Sequence, residues 1–278
     1  MEREVQPELL DKLPPDDPRA RRSRCDLRRV NAWLGSAAIL ARALRESANG
    51  RVPGQILELG AGDGQLLLHV ARTLAPLWPN VEVTLLDRQP LVDATTLAKF
   101  AALGWRAETR VADVFDGVAD RAKLDTVPVW SSAFRRFGRT TALRRLKAEL
   151  QTKLPDAFGE VSKCTLADRS GPLDIVIANL FLHHFSADQL TGLFGALADR
   201  ASLFVALEPR RGAWPLFGSR LLGLIGCNAV TRHDARVSVR AGFAATELSS
   251  LWPPSADWEL SERSAGLFSH VFVARRKN

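Results

Sequence analysis

Ile56-Leu57-Glu58-Leu59-Gly60-Ala61-Gly62-Asp63-Gly64 joins a short apolar run to a turn with glycine at every second position. The run reads as a buried strand, and the apolar spacing from about Gly64 to Leu77 reads as a helix. A strand that enters a helix through glycines lets backbone amides approach a ligand closely, and the helix N-terminus favours polar or anionic groups there. A dinucleotide fingerprint, G-x-G-x-x-G, would need a third glycine where Gln65 stands, so the spacing here is G-x-G-x-G. Glu58 puts a carboxylate beside the loop, which repels a pyrophosphate and attracts an ammonium. The expected ligand is a nucleoside that carries an amino acid.

Outward from this turn, strands and helices alternate. VEVTLLD (81–87) is followed by a helix from about 91 to 103 and by RAETRVADVF (106–115). The rhythm resumes with LDIVIANLFL (173–182), SADQLTGLFGALADR (186–200) and SLFVALEP (202–209). Ser186 and Gln189 carry the signature of a capped helix start. After an irregular stretch comes a helix near RAGFAATELSSL (240–251), then two strand-like runs around Ser264-Ala265-Gly266. Such alternation predicts an α/β fold with a parallel sheet and right-handed crossovers, closed by an antiparallel hairpin.

Upstream, DLRRVNAWLGSAAILARALRES (26–47) has helical spacing with a break at Gly35, while Pro14, Pro15 and Pro18 make the first twenty or so residues read as loose. The segment from about 118 to 170, including the basic run SAFRRFGRTTALRRLKAELQTKL (132–154) whose second half looks helical, interrupts the alternation and reads as an insertion or a lid near the site. The division expected is an N-terminal extension and helical lid over 1–49, then one domain over 50–278 that carries this insertion.

The glycine turn resembles the first motif, E/D-x-G-x-G-x-G, of the class I S-adenosylmethionine-dependent methyltransferases, and Glu58 to Gly64 match it in full. That resemblance implies a seven-stranded, mostly parallel Rossmann-like sheet with helices on both faces and S-adenosylmethionine as cofactor. It also implies that the glycine loop carries the methionine moiety, that Asp87 binds the ribose hydroxyls and that Asp113 lies beside the adenine. The cofactor contacts implied are Glu58, Gly60, Ala61, Gly62, Gly64, Asp87, Arg88, Asp113, Val114 and Asn179.

Residues 173–185, LDIVIANLFLHHF, look like the D-x-V-x-x-x-x-x-L-H-H-F stretch of UbiE-like small-molecule methyltransferases. Leu180 and Phe181 stand where nucleobase and protein amide methylases carry two prolines, so nucleobase amino-group methylation is disfavoured. The lead-in resembles the D-L-R-R-x-N-x-W-x-G extension of the same relatives, making Arg28, Arg29, Asn31 and Trp33 lid candidates. Glu208-Pro209-Arg210-Arg211 resembles their L-E-P-x-R ending, where a buried glutamate would pair with an arginine or hold a substrate.

His183 and His184 follow the strand end, where open α/β sheets keep their reactive crevice, and either imidazole could take a proton as a methyl arrives. His233, next to Asp234, is an alternative base, and the absence of tyrosine excludes a tyrosine base.

Composition narrows the classes further. With 46% hydrophobic and 25% charged residues over 278 positions, the chain can bury a full core, which excludes wholesale disorder and coiled coil. No apolar run reaches the roughly 18 residues that span a bilayer. Cys25, Cys164 and Cys227 form no metal-spaced pair, so no metal is expected and a reducing cytoplasm is the natural compartment.

The net charge of +7 gathers in two clusters: Arg19, Arg21, Arg22, Arg24, Arg28 and Arg29, then Arg135, Arg136, Arg139, Arg144, Arg145 and Lys147. These could contact phosphate or form a solvated face. The expected function is O- or C-methylation of a small, partly apolar metabolite, with a small-molecule acceptor as partner and nucleic acid not expected. The alternatives are an RNA or lipid methyltransferase docked through the arginines, or a non-catalytic S-adenosylmethionine-binding protein. The oligomeric state stays open.

Overall fold

The computed structural model describes residues 1–119 and 173–277. The basic insertion expected at about 118–170, with Arg135 to Lys147 and Cys164, falls almost wholly outside the described residues.

Five strands run parallel: β1 (Gln55–Leu59), β2 (Glu82–Asp87), β3 (Arg106–Val111), β4 (Leu173–Asn179) and β5 (Ala201–Pro209). β6 (Trp258–Ala265) and β7 (Ser269–Arg276) form the antiparallel hairpin, and β7 pairs with β5. The sheet order is β3-β2-β1-β4-β5-β7-β6. Burial follows position in that order: β5, covered on both faces, is buried at all positions but Ser202, whereas the edge strand β3 has no buried residue. The order reverses between β1 and β4, the place where open parallel sheets form a crevice beyond their carboxyl ends.

The chain begins with α1 (Pro18–Trp33) and α2 (Ser36–Ala48), separated by Gly35 at φ +67°, a left-handed conformation that glycine adopts without strain. α2 and α3 (Gln65–Leu74) pack on one face of the sheet, where Leu40, Leu44, Leu67 and Leu68 meet Ile56, Ile175, Ile177 and Val205. On the opposite face α6 (Ala187–Ala198) packs with Phe194, Phe204, Trp252 and Phe272. Their ring centroids lie 5.2 to 6.1 Å apart, within the range where aromatic pairs attract beyond simple burial. Both halves of the Ser186–Gln189 capping box form at the start of α6. α4 (Ala94–Ala102) and α5 (Val114–Ala119) follow β2 and β3.

Two expectations are corrected. The first residues are not loose. Glu4 donates its amide to the Arg240 carbonyl at 3.1 Å, and the Arg3 guanidinium donates to the carbonyls of Ala241 and Phe185, both at 2.8 Å, while lying 4.5 Å from the centre of the Phe243 ring. The amides of Leu9 and Leu10 donate to the Asp234 carboxylate at 2.8 and 2.9 Å. Pro14 and Pro15 leave the chain free to dock through its backbone groups, whereas Pro18 opens α1 at its first position, where no amide donor is needed.

The stretch after β5 is not irregular either: it holds α7 (Ala213–Leu221) and α8 (Ala229–Ala241), and the region read as helix near 240–251 holds the last two residues of α8 and the short α9 (Glu247–Leu251). α8 buries Thr231 and Asp234 beside Val230 and Val237, and polar residues on the packed face hide its period from a hydrophobicity reading.

Candidate active site

At the β1–β4 switch point lies a cavity of about 1310 Å³. Its polar lining comes from the glycine loop and the ends of β1, β2, β3 and β4: Glu58, Gly60, Ala61, Gly62, Asp87, Arg88, Asp113, Val114 and Asn179 all face it. Its apolar lining comes from the N-terminal segment and the turns after β3 and β4, through Val5, Leu10, Phe115, Phe181 and Phe185. Gly64 does not line the cavity; it begins α3 and packs against Leu85.

Gly60 and Gly62 both have positive φ, +67° and +56°, but their surroundings differ. A Cβ on Gly60 would overlap the Phe181 ring, whereas a Cβ on Gly62 would meet nothing within 4 Å, since that atom would stand in the open cavity. Asp87 holds the loop in place. Its carboxylate accepts the Gly62 amide at 2.8 Å and the Gln89 amide at 2.9 Å, leaving further lone pairs beside the cavity. Asp113 accepts the Phe115 amide at 3.0 Å and so caps the start of α5.

Glu58 is only 2% exposed, and its Oε2 has no hydrogen-bond partner. Burial, with the charges of Asp63 and Asp87 nearby, holds its carboxyl well above the usual carboxylate range. The Oδ1 of Asn179, on the neighbouring strand, is likewise buried without a partner. Two unpartnered buried oxygens on adjacent strand ends leave hydrogen bonds unmade, and a ligand with a cationic amino group would meet both while favouring the charged form of Glu58.

The two adjacent histidines have opposite environments. They lie in a short turn, Leu182–His184, fixed by Glu208 of β5, whose carboxylate accepts the amides of Phe181 and Leu182 at 2.9 Å each. The Nδ1 of His183 lies 2.8 Å from Glu208 and its Nε2 lies 3.3 Å from Glu8. Burial alone would lower the His183 pKa, but these hydrogen bonds outweigh it and raise the pKa to about 9. At neutral pH both ring nitrogens therefore carry protons. His183 is buried and does not line the cavity. The ligating atoms of Glu8, His183 and His184 lie within 4.8 Å of one another.

His184 does line the cavity, with Nδ1 3.4 Å from Asp11 and its ring centre 4.3 Å from that of His183. Its pKa is lowered by burial and then by the His183 charge. His233 is half-exposed on α8, 2.9 Å from Asp234, and does not line the cavity.

Glu208 pairs with a histidine and turn amides rather than with an arginine; Arg211 pairs with Glu247. Of the lid candidates, Arg28 and Asn31 line the cavity and Arg28 reaches Asp63 at 2.6 Å. Arg29 turns to Asp26, and Trp33 is exposed to solvent. Sequence reasoning missed Glu8 and the lining role of Val5, Leu10 and Asp11, because an extended docking segment has no periodic signal.

Strand order, the antiparallel β7 and the glycine turn after β1 together define a class I methyltransferase fold. The plantazolicin methyltransferase BpumL, solved in complex with SAH, is similar in structure with a TM-score of 0.55 at 12% identity, covering 94% of this chain and 92% of that one. Mitomycin 7-O-methyltransferase MmcR gives 0.51 at 16% identity, covering 96% of this chain; the chain spans 60% of its length. No family model and no curated protein sequence matches the chain.

Proposed function

We propose that the chain is an S-adenosylmethionine-dependent methyltransferase acting on a small, partly apolar metabolite at oxygen or carbon. The observation that carries this reading is the buried, unpartnered Glu58 carboxyl beside the glycine loop, in a cavity that also presents Asp87, Asp113 and an aromatic wall. Glu58 and Asn179 would hold the amino-acid end of the cofactor, Gly60, Ala61 and Gly62 its approach to the backbone, Asp87 and Arg88 the ribose side, and Asp113 with Val114 the adenine. When bound, this cofactor supplies an electrophilic methyl group.

Phe115, Phe181, Phe185 and Leu10 suit an apolar acceptor and exclude water around it. His184 is the base this geometry favours: it faces the cavity, is neutral near pH 7 and has Asp11 beside it. Burial, with the charge of His183 beside it, keeps the His184 pKa low. Fold similarity to BpumL and MmcR, which are named as methyltransferases, supports the class and leaves the acceptor open.

Labelled methyl from S-adenosylmethionine is expected to pass into organic-soluble material of a host extract. Label in nuclease-sensitive material instead would transfer the proposal to RNA, and no label with intact cofactor binding would favour a binding protein. His184→Gln should lower kcat about 10²–10⁴-fold while leaving affinity for S-adenosylhomocysteine unchanged, measured by turnover and calorimetric titration. An unchanged kcat would remove His184 from the chemistry.

A further inference from the structure

Helix α7 turns its small residues inward and its large apolar ones outward. Pro215 and Ser219 are buried, whereas Trp214, Phe217 and Leu221, spaced i, i+3 and i+7 on one helical face, are 74%, 53% and 42% exposed. Leu224, in the turn that follows, is 83% exposed. The inner side is fixed to the body of the fold: the Phe268 ring sits against Gly218, where no side chain would fit. Trp214 and Phe217 meet edge to face, their centroids 6.5 Å apart, so the outward rings form a continuous surface. An ordinary surface helix has the reverse distribution, and an exposed apolar stripe of this kind marks a contact surface.

The charge around the stripe narrows the partner. From Arg210 to Thr246 the chain has six arginines and a single acid, Asp234. That acid is buried and bound to the Leu9 and Leu10 amides. Arg211 is paired with Glu247. Arg220, Arg232, Arg236 and Arg240 are exposed, and none is in an ion pair among the described residues. The Arg232 side chain lies against Gly223, in the same turn as Leu224.

We propose that α7 and the turn after it, residues 213–224, rest on an anionic lipid surface. Trp214, Phe217, Leu221 and Leu224 enter the boundary between headgroups and acyl chains, and the exposed arginines of α7 and α8 meet the headgroups. Nucleic acid would use the arginines but leave the apolar stripe in water. A second copy docked through this face would bring the exposed Arg220, Arg232, Arg236 and Arg240 of both copies together, with no exposed acid from residues 210–246 to offset them. No helix among the described residues is long and apolar enough to cross a membrane. Such docking goes beyond methyl transfer, and its readout does not depend on turnover.

The test is co-sedimentation of the full chain with vesicles of phosphatidylcholine alone, or of phosphatidylcholine and phosphatidylglycerol in equal parts. Binding is expected only to the anionic vesicles and should weaken as salt is added. Trp214→Ser combined with Phe217→Ser should reduce partitioning by about tenfold or more, and Arg232→Ser with Arg236→Ser should also weaken it. S-adenosylhomocysteine affinity, unchanged in all variants, reports that the fold is intact. Equal binding to both vesicle types, or anionic binding untouched by the aromatic variant, overturns the proposal. So does a dimer that the aromatic variant dissociates while vesicles bind nothing, since the stripe then belongs to a second copy.

Discussion

Gly62→Val should abolish detectable binding of S-adenosylhomocysteine, an expected loss of at least about a hundredfold. The effect follows from where the new atoms go. A Cβ at Gly62 meets no protein atom within 4 Å and would stand in the cavity itself, so the branched side chain occupies ligand space without disturbing the core. The φ of +56° adds strain of about 1–2 kcal/mol for a β-branched residue, enough to lower stability modestly but not to unfold a chain of this size.

Gly60→Ala provides the contrast, because its Cβ would overlap the Phe181 ring and should cost stability before it costs affinity. Asp87→Ala falls between the two. It frees the Gly62 and Gln89 amides and removes the acceptors proposed for the ribose, weakening binding by about 1.5–3 kcal/mol through lost charge-assisted hydrogen bonds. Calorimetric titration of each folded variant measures all three, and Gly62→Val with wild-type affinity would show that the ligand does not approach this backbone.

The glycine turn was legible because its chemistry is local: strand, glycines and helix start are contiguous in sequence, and so is the Ser186–Gln189 capping box. The alternation of strands and helices needed only periodicity. What stayed hidden depends on partners distant in the chain. Arg3, Glu8 and Leu10 are ordered by α8 and by the turn after β4, more than 170 residues away, through carbonyls and carboxylates that no spacing reveals. α8 packs Thr231 and Asp234 inward because these groups bond Ser23 and the N-terminal amides, so its apolar period is broken where its contacts are strongest.

The pair His183-His184 shows the same limit at finer scale. Two identical neighbours differ in role because the turn directs one ring under the N-terminal segment and the other into the cavity, and Glu208, from another strand, together with Glu8 holds the first in place.

That dependence on Glu208 predicts a large and pH-dependent effect. Glu208→Ala removes the acceptor of the Phe181 and Leu182 amides and leaves the buried His183 cation with Glu8 alone, at a cost of about 3–5 kcal/mol. The sign of the pH dependence follows from His183. Its folded pKa of about 9 lies above the ordinary 6.5, so its ionic contribution is fully present below pH 6.5 and is lost as pH rises through about 9. The span corresponds to about 3 kcal/mol at most.

Glu208→Gln separates the two parts of the interaction: its carbonyl oxygen can still accept the turn amides, but it no longer holds the His183 charge. The wild type should therefore lose stability in urea between pH 6.5 and 9.5, and Glu208→Gln should lose much less over the same interval while starting from a lower value. If both proteins lose stability equally across that interval, the His183 charge is not what Glu208 sustains.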